Sequence, residues 1–174
     1  MEVRQETEDD FDAVRRVHTE AFASQGLSGN RPPEVALCDE LRVSSALVPQ
    51  LSLVADNGQL VVGHVIATRA TVGPDDSPAL GLGPLGVLPS HQRQRVGIVL
   101  MEAVVSVADS MDEPMIVLRG DPAYYQRFGF ELASTFGIEP PEAAWAPHFL
   151  LRRGRTYDPR VRGLFTYAEP FSRL

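Results

Sequence analysis

Lysine is absent: all 16 basic residues are arginine, which removes Schiff-base chemistry, a phosphate-binding P-loop lysine and self-modification on lysine together. Cysteine occurs once, at Cys38, so an internal disulfide, a CxxC redox pair and a cysteine cage for a metal are excluded. Cys38 reads as a small hydrophobe on a helix. Uncharged apolar runs of about 20 residues, enough to span a bilayer, are also missing. Pro49 and the Gly/Pro-rich stretch from Pro78 to Pro89 interrupt the candidates. The opening residues, Met1 to Asp10, are acidic and lack the basic, apolar, small-residue order of a secretory signal. A cytoplasmic location is the expectation.

Acidic residues, 23 of them, outnumber the arginines and leave a formal net charge of −7 over 174 residues. Nonspecific adhesion to nucleic acid or to an anionic membrane is therefore disfavoured, and an anionic ligand has to be held by a local arrangement. Hydrophobic residues at 44% and charged ones at 22% suit one ordinary core, so a single domain over residues 1–174 is expected. Arginines crowd the end of the chain, where Arg152, Arg153, Arg155, Arg160, Arg162 and Arg173 are opposed locally by Asp158 and Glu169. That stretch reads as a polar edge or, alternatively, as an interaction surface.

Thr7 and Asp10 stand three apart in the manner of a capping box, and Phe11, Val14, His18, Ala21 and Phe22 then recur at helical spacing, predicting a helix over 8–23. Gly, Asn and Pro over 26–33 break the chain, and Pro33 opens a second helix carrying Val35, Leu37, Cys38 and Leu41. Residues 51–55 and 60–67 are β-prone and joined by Asp56-Asn57-Gly58, so antiparallel pairing is expected. A turn over 73–79 leads into a strand over 80–88, where Pro84 cannot donate to a ladder and predicts a bulge. Val96, Val99, Leu100, Val104, Val107 and Ala108 form a helical stripe over 96–110. A strand over 115–118 follows, and strand, helix, strand in that order implies a parallel pair with a right-handed crossover. A short helix over 122–127, a strand over 130–133 and tail strands at 148–151 and 164–168 complete a mixed α/β reading without internal repeats.

Chemistry concentrates where the strand over 80–88 runs through a tight loop into a helix start, Leu85-Gly86-Val87-Leu88-Pro89-Ser90-His91-Gln92-Arg93-Gln94-Arg95-Val96-Gly97-Ile98. Unpaired amides and the helix dipole there make an anion site suited to phosphate or pyrophosphate. Gly97 leaves room for a ligand to approach the backbone, and Arg93 and Arg95 add positive charge. Taken alone, the loop is equally well explained as an ordinary helix start. A second segment follows the next strand, Gly120-Asp121-Pro122-Ala123-Tyr124-Tyr125-Gln126-Arg127-Phe128-Gly129-Phe130. Together the two segments resemble the GNAT family of N-acetyltransferases, in particular a small bacterial subgroup. Gln92 and Gly97 match the ends of its Q/R-x-x-G-x-G/A motif, and Tyr125, Phe128, Gly129 and Phe130 match Tyr-x-x-(Phe/Leu)-Gly-Phe. The likeness covers residues 3–137. Arg95 departs from it, standing where the motif has its first glycine.

The resemblance implies a fold in which a mixed central sheet has antiparallel N-terminal strands and a splayed parallel pair, flanked by helices. Residues 1–137 would bear the motifs and the tail, 138–174, would complete the sheet and the acceptor side. It implies acetyl-CoA as co-substrate, its pantetheine beside Leu85, Gly86 and Val87, and its pyrophosphate held around Gln92, Arg93, Gln94, Arg95, Val96, Gly97 and Ile98. The implied reaction is direct acetyl transfer to a primary amine of a small molecule or protein, with the Val87 amide facing the oxyanion. Tyr125 would protonate the leaving thiolate, whose pKa when free is ~8.5. On packing alone, Tyr125 beside Phe128 and Phe130 reads instead as core, and Tyr124 as packing.

A primary amine is mostly ammonium near neutrality, with a pKa of ~10, so a base or water chain has to accept a proton. No carboxylate stands in the strand over 80–88, and His64, His18, Glu34 and Glu40 remain open as candidates; His91 and His148 read as solvated. The histidines show neither H-x-x-x-H nor H-E-x-x-H spacing, so no metal is expected. No G-x-S-x-G serine nucleophile is present either. A non-catalytic acyl-CoA-binding module is the alternative, motivated by Arg95 and the missing carboxylate. Pairing of two copies through exposed strands or the tail stays open.

Overall fold

A computed structural model describes residues 1–25 and 31–173; the expected break at 26–30 lies outside the described residues. At its centre, strands β2 (Leu47–Asp56) and β3 (Val61–Val72) form a long antiparallel hairpin. The turn follows from its residues. Gly58 sits at φ +89°, a conformation a Cβ would strain, and Asp56 accepts the Gly58 amide at 2.8 Å. Strand β1 (Glu2–Gln5) adds antiparallel to β2, a strand that its short and charged sequence did not announce. Strand β4 (Ser77–Val87) pairs antiparallel with β3 from Val72↔Ser77 to Gly63↔Val87. The turn expected over 73–79 is therefore tighter, because Gly73 and Asp76 adopt positive φ and Ser77, Pro78 and Ala79 are already paired. Val65 faces Leu85 while Ala67 faces Leu82, so β4 carries one extra residue at the Gly83-Pro84 step. The bulge falls where Pro84 placed it.

Helix α1 (Phe11–Ala21) follows a turn fixed by Asp10, whose carboxylate accepts the Thr7 amide at 2.8 Å and the Arg4 guanidinium at 2.7 and 2.9 Å. Helix α2 (Pro33–Val43) begins on its proline, as expected, and buries Val35, Leu37, Cys38 and Leu41. Helix α3 (Val96–Ser110) buries Val96, Leu100, Val104 and Ala108, a stripe that repeats every four residues, with Met101 beside it. Each such large side chain, removed from water, contributes roughly 1.5–3 kcal/mol.

Two glycines reveal which helix covers which face. A Cβ on Gly63 would strike Val96 and Leu100 of α3, whereas one on Gly86 would strike His18 and Val17 of α1. Gly86 lies opposite His64 in the ladder, one step from the Gly63↔Val87 pair, so the two directions are opposite faces. Helix α3 thus covers one face, and α1 with α2 packed on it covers the other.

Strand β5 (Met115–Arg119) returns parallel to β4. After the short α4 (Pro122–Tyr125) come β6 (Glu131–Leu132), β7 (Ile138–Glu139), β8 (Phe149–Arg153) and β9 (Gly163–Thr166). The sheet order is β1-β2-β3-β4-β5-β8-β6, with β9 pairing the end of β3 and also β7. This is the mixed sheet that the sequence leads one to expect, with the tail strands built into it. The tail arginines find more partners than the local sequence offers: Arg152 pairs with Asp109, Arg155 with Asp112 and Arg173 with Glu40.

Candidate active site

The ladder between β4 and β5 consists of Leu80↔Ile116 and Gly81↔Val117 alone. Beyond Gly81 the two strands part, leaving one edge of Leu82 to Val87 without a neighbouring strand among the described residues. The chain leaving this edge turns at Pro89–His91 and enters α3. Gln92 donates from its amide side chain to the Val87 carbonyl at 3.3 Å, and Gln94 to that of Ser90 at 2.9 Å, so both glutamines brace the loop. Arg93 and Arg95 hold φ of +60° and +68°, with Arg95 directly before the helix. The family motif puts glycine at the Arg95 position, and the left-handed conformation supplies the reason. Among the described residues, the backbone amides of residues 93–98 meet no acceptor. An open row of amides at the positive end of a 15-residue helix is a site for an anion.

Across the gap from β4 stand α4 and its two tyrosines. The Tyr124 hydroxyl lies 3.0 Å from where a Cβ on Gly97 would be, close to Leu85 and Val87. Gly97 therefore gives room to Tyr124, a packing partner that sequence spacing does not name. Tyr125 lays its ring against Gly120, where a Cβ would come within 2.8 Å of two ring carbons, and edge-on to Phe130 at 5.9 Å between centroids. Burial pushes the Tyr125 phenol up to about 12 and that of Tyr124 upward as well, so both keep their protons near neutrality. Asp121 caps α4 by accepting the Ala123 amide at 2.9 Å, which fixes where both tyrosines start.

On the opposite face, the fold gathers polar residues that the sequence leaves far apart. His18 Nε2 and His64 Nδ1 are 2.8 Å apart, His64 Nε2 is 3.1 Å from Ser52 Oγ, and Ser52 donates to Glu6 at 2.7 Å. Arg42 closes the chain on Glu6 at 2.5 Å. Both imidazoles are fully buried. Burial lowers the pKa of each and leaves them neutral. Glu6 resists the upward pull of burial because His64 stands 3.8 Å away and Arg42 and Ser52 bond to it, and is held at about 2. Among the described residues, His18 Nδ1 has no hydrogen-bond partner. Cys38 Sγ and one nitrogen of each ring lie within 4.8 Å of one another, a donor set that sequence spacing did not suggest. Burial raises the thiol well above its ordinary range, so it stands as a neutral thiol.

Of the other base candidates, Glu40 is engaged by Arg173 at 2.5 Å and one buried Glu34 oxygen is unpartnered among the described residues. His91 is bonded to Ser90, and His148 is exposed.

Comparison with known proteins agrees with this arrangement. Residues 2–133 match the model of the acetyltransferase (GNAT) domain family. The chain is 35% identical to the uncharacterized N-acetyltransferase YjhQ of Escherichia coli K12 over 163 residues, 88% of this chain and 86% of that protein. It is 31% identical to the uncharacterized N-acetyltransferase YhbS of the same strain, over 81% of this chain and 84% of that one. Among solved structures, that of E. coli YhbS in complex with CoA superposes with a TM-score of 0.86 at 26% identity, covering 99% of this chain and 92% of that chain. A GNAT family acetyltransferase from Brucella melitensis in complex with acetyl-CoA gives 0.77 at 28% identity, covering 98% and 97%.

Proposed function

The chain belongs to the GNAT acetyltransferase family, and we propose that it moves the acetyl group of acetyl-CoA directly to a primary amine. One observation carries the choice of site: the open amides at the start of α3 stand beside the unpaired edge of β4. A pyrophosphate on residues 93–98 would direct a linear pantetheine along Leu85, Gly86 and Val87, where edge amides can bond it as a further strand would. Arg93 and Arg95, both exposed, face the anion without the cost of leaving water. The two complexes, with CoA and with acetyl-CoA, support the same choice of ligand.

In this reading the amine nitrogen attacks the thioester carbon, and negative charge grows on the carbonyl oxygen. The Val87 amide stabilises it, and collapse then expels the thiolate. Tyr125 is the proposed donor to the leaving sulfur. Its raised pKa makes full transfer to a thiolate of pKa ~8.5 uphill, so its contribution is a hydrogen bond that strengthens as the C–S bond breaks.

Thermal unfolding with acetyl-CoA, CoA and ATP tests the site. A ligand at one hundred times its Kd stabilises the native state by about 2.7 kcal/mol, which for a chain of this size is an upward shift of roughly 5–10 °C. Acetyl-CoA and CoA should produce it and ATP should not. Absence of a CoA shift would remove the proposed site.

A further inference from the structure

The polarity of the buried hydrogen-bond chain follows from its fixed end. Glu6 is ionised and can only accept, so the Ser52 hydroxyl spends its one proton on Glu6 at 2.7 Å. Ser52 Oγ then accepts from His64, which places a proton on His64 Nε2 and leaves His64 Nδ1 a lone pair. His18 must donate to that lone pair from Nε2, 2.8 Å away. A neutral imidazole has one N–H, so His18 Nδ1 carries a free lone pair. This atom, in a fully buried side chain, is unpartnered among the described residues, and it lies 2.8 Å from where a Cβ on Gly86 would be. Gly86 stands between Leu85 and Val87, on the strand whose open edge is the proposed acetyl site. No carboxylate within β4 competes for this role.

We propose that Glu6, Ser52, His64 and His18 form a proton relay for acetyl transfer, with His18 Nδ1 as its accepting end. The inference rests on the acetyltransferase reading above and adds the missing proton acceptor to it. As the amine nitrogen bonds to the thioester carbon, its N–H proton passes at the Gly86 edge, through a bridging water, to His18 Nδ1. The C–S bond breaks with its electron pair on sulfur, and the CoA thiolate takes up a proton. The imidazolium returns its own proton to solvent after product leaves, so amine and acetyl-CoA become amide and CoA thiol. Glu6 stays ionised throughout, and its charge reaches the His18 imidazolium through three oriented hydrogen bonds, as the carboxylate of a catalytic triad supports its histidine. The groups facing the two rings are Glu6 and Ser52 below β1 and on β2, Asp10 ahead of α1, and Cys38 and Arg42 on α2.

His18→Gln tests this, because a glutamine amide can still donate to His64 Nδ1 while the basic nitrogen is gone. Three measurements are made on wild type and variant: CoA binding by calorimetry, CoA thiol release from acetyl-CoA with a panel of simple primary amines across pH 5–9, and ring-nitrogen NMR of 15N-histidine-labelled wild type. The relay predicts wild-type binding of CoA by the variant and a loss of turnover of about 100-fold or more. It also predicts that His18 and His64 are both Nε2–H tautomers with Nδ1 unprotonated. Turnover unchanged in His18→Gln, or a proton on His18 Nδ1, would overturn the relay and leave the acetyltransferase reading standing. Failure of wild type to bind CoA would instead overturn that reading. If His18→Gln does not fold, Ser52→Ala replaces it. That variant breaks the link to Glu6 and should lower turnover about tenfold while sparing CoA binding; unchanged turnover there would likewise overturn the relay.

Discussion

Replacing Arg95 by glycine isolates the backbone conformation of the α3 loop. Arg95 sits at φ +68° and ψ 4°, where a side chain costs roughly 1–2 kcal/mol that glycine does not incur. Glycine in turn loses about 0.4–1 kcal/mol by loosening the unfolded chain. The arginine side chain is exposed and forms no ion pair among the described residues, so its removal contributes little. The net expectation for Arg95→Gly is a gain of about 0.5–1 kcal/mol, or roughly 1–4 °C in Tm. Arg95→Ala is the control: it deletes the guanidinium and keeps the strained Cβ, and its Tm should stay near that of wild type. Differential scanning calorimetry of the three proteins decides. A glycine variant no more stable than the alanine variant would refute the argument that this loop demands a left-handed residue.

The tyrosines separate in the same way: Tyr125→Phe should lower kcat about tenfold or more while CoA affinity holds, whereas Tyr124→Phe should weaken CoA binding first, since its hydroxyl sits over Gly97. Calorimetric Kd set beside thiol-release kinetics reads both. Glu6→Gln leaves the buried Arg42 guanidinium with Asp39 as its remaining carboxylate. A loss of roughly 3 kcal/mol by urea denaturation is expected. Acid should destabilise the protein in two stages. The histidine pair is lowered in the folded state, so the unfolded chain binds more protons below about 6.5 and stability falls from there. Glu6, held at about 2, adds a further loss as pH drops from about 5 toward 2. Urea midpoints flat from pH 7 to 4 would refute that account. Gly154→Ala would drive a Cβ to 2.0 Å from the Glu113 carbonyl oxygen, and a loss of at least about 2 kcal/mol should follow in the same assay.

Periodicity carried far in this chain where elements are long. The α3 stripe predicted residues 96–110, and the helix occupies those positions. The Asn-Gly turn predicted antiparallel β2 and β3, and Pro84 predicted the bulge, because each is a local demand that no tertiary contact overrides. Two short strands were illegible, although the short α4, β6, β8 and β9 were expected near their places. Strand β1 is four residues of charged sequence that pairs because β2 offers an edge, and β7 is two residues held by β9. At the candidate site the motif residues of one loop were readable, since they are contiguous. The Tyr124 contact with Gly97 was not, because its partner lies across a strand and a helix in sequence. Nor was the relay: Glu6 follows β1 while His18, Ser52 and His64 come from three different elements, and a lone histidine in a strand ordinarily reads as core.

Gly86 ties these two kinds of information together. One face of β4 leads through Val87 to the α3 loop, and the other carries the relay, with His18 filling the space where a side chain on Gly86 would be. Because ring and backbone touch without an intervening side chain, a shift of β4 is transmitted directly to His18. A bridging methyl would compress instead. Gly86→Ala puts a Cβ 2.8 Å from His18 Nδ1 and 3.3 Å from Val17, with both neighbours buried and unable to retreat. The relay then predicts an asymmetric outcome: turnover falls with loss of the lone pair's access, while the α3 loop, which the methyl does not touch, retains CoA. Equal loss of both would mean that the glycine serves packing alone.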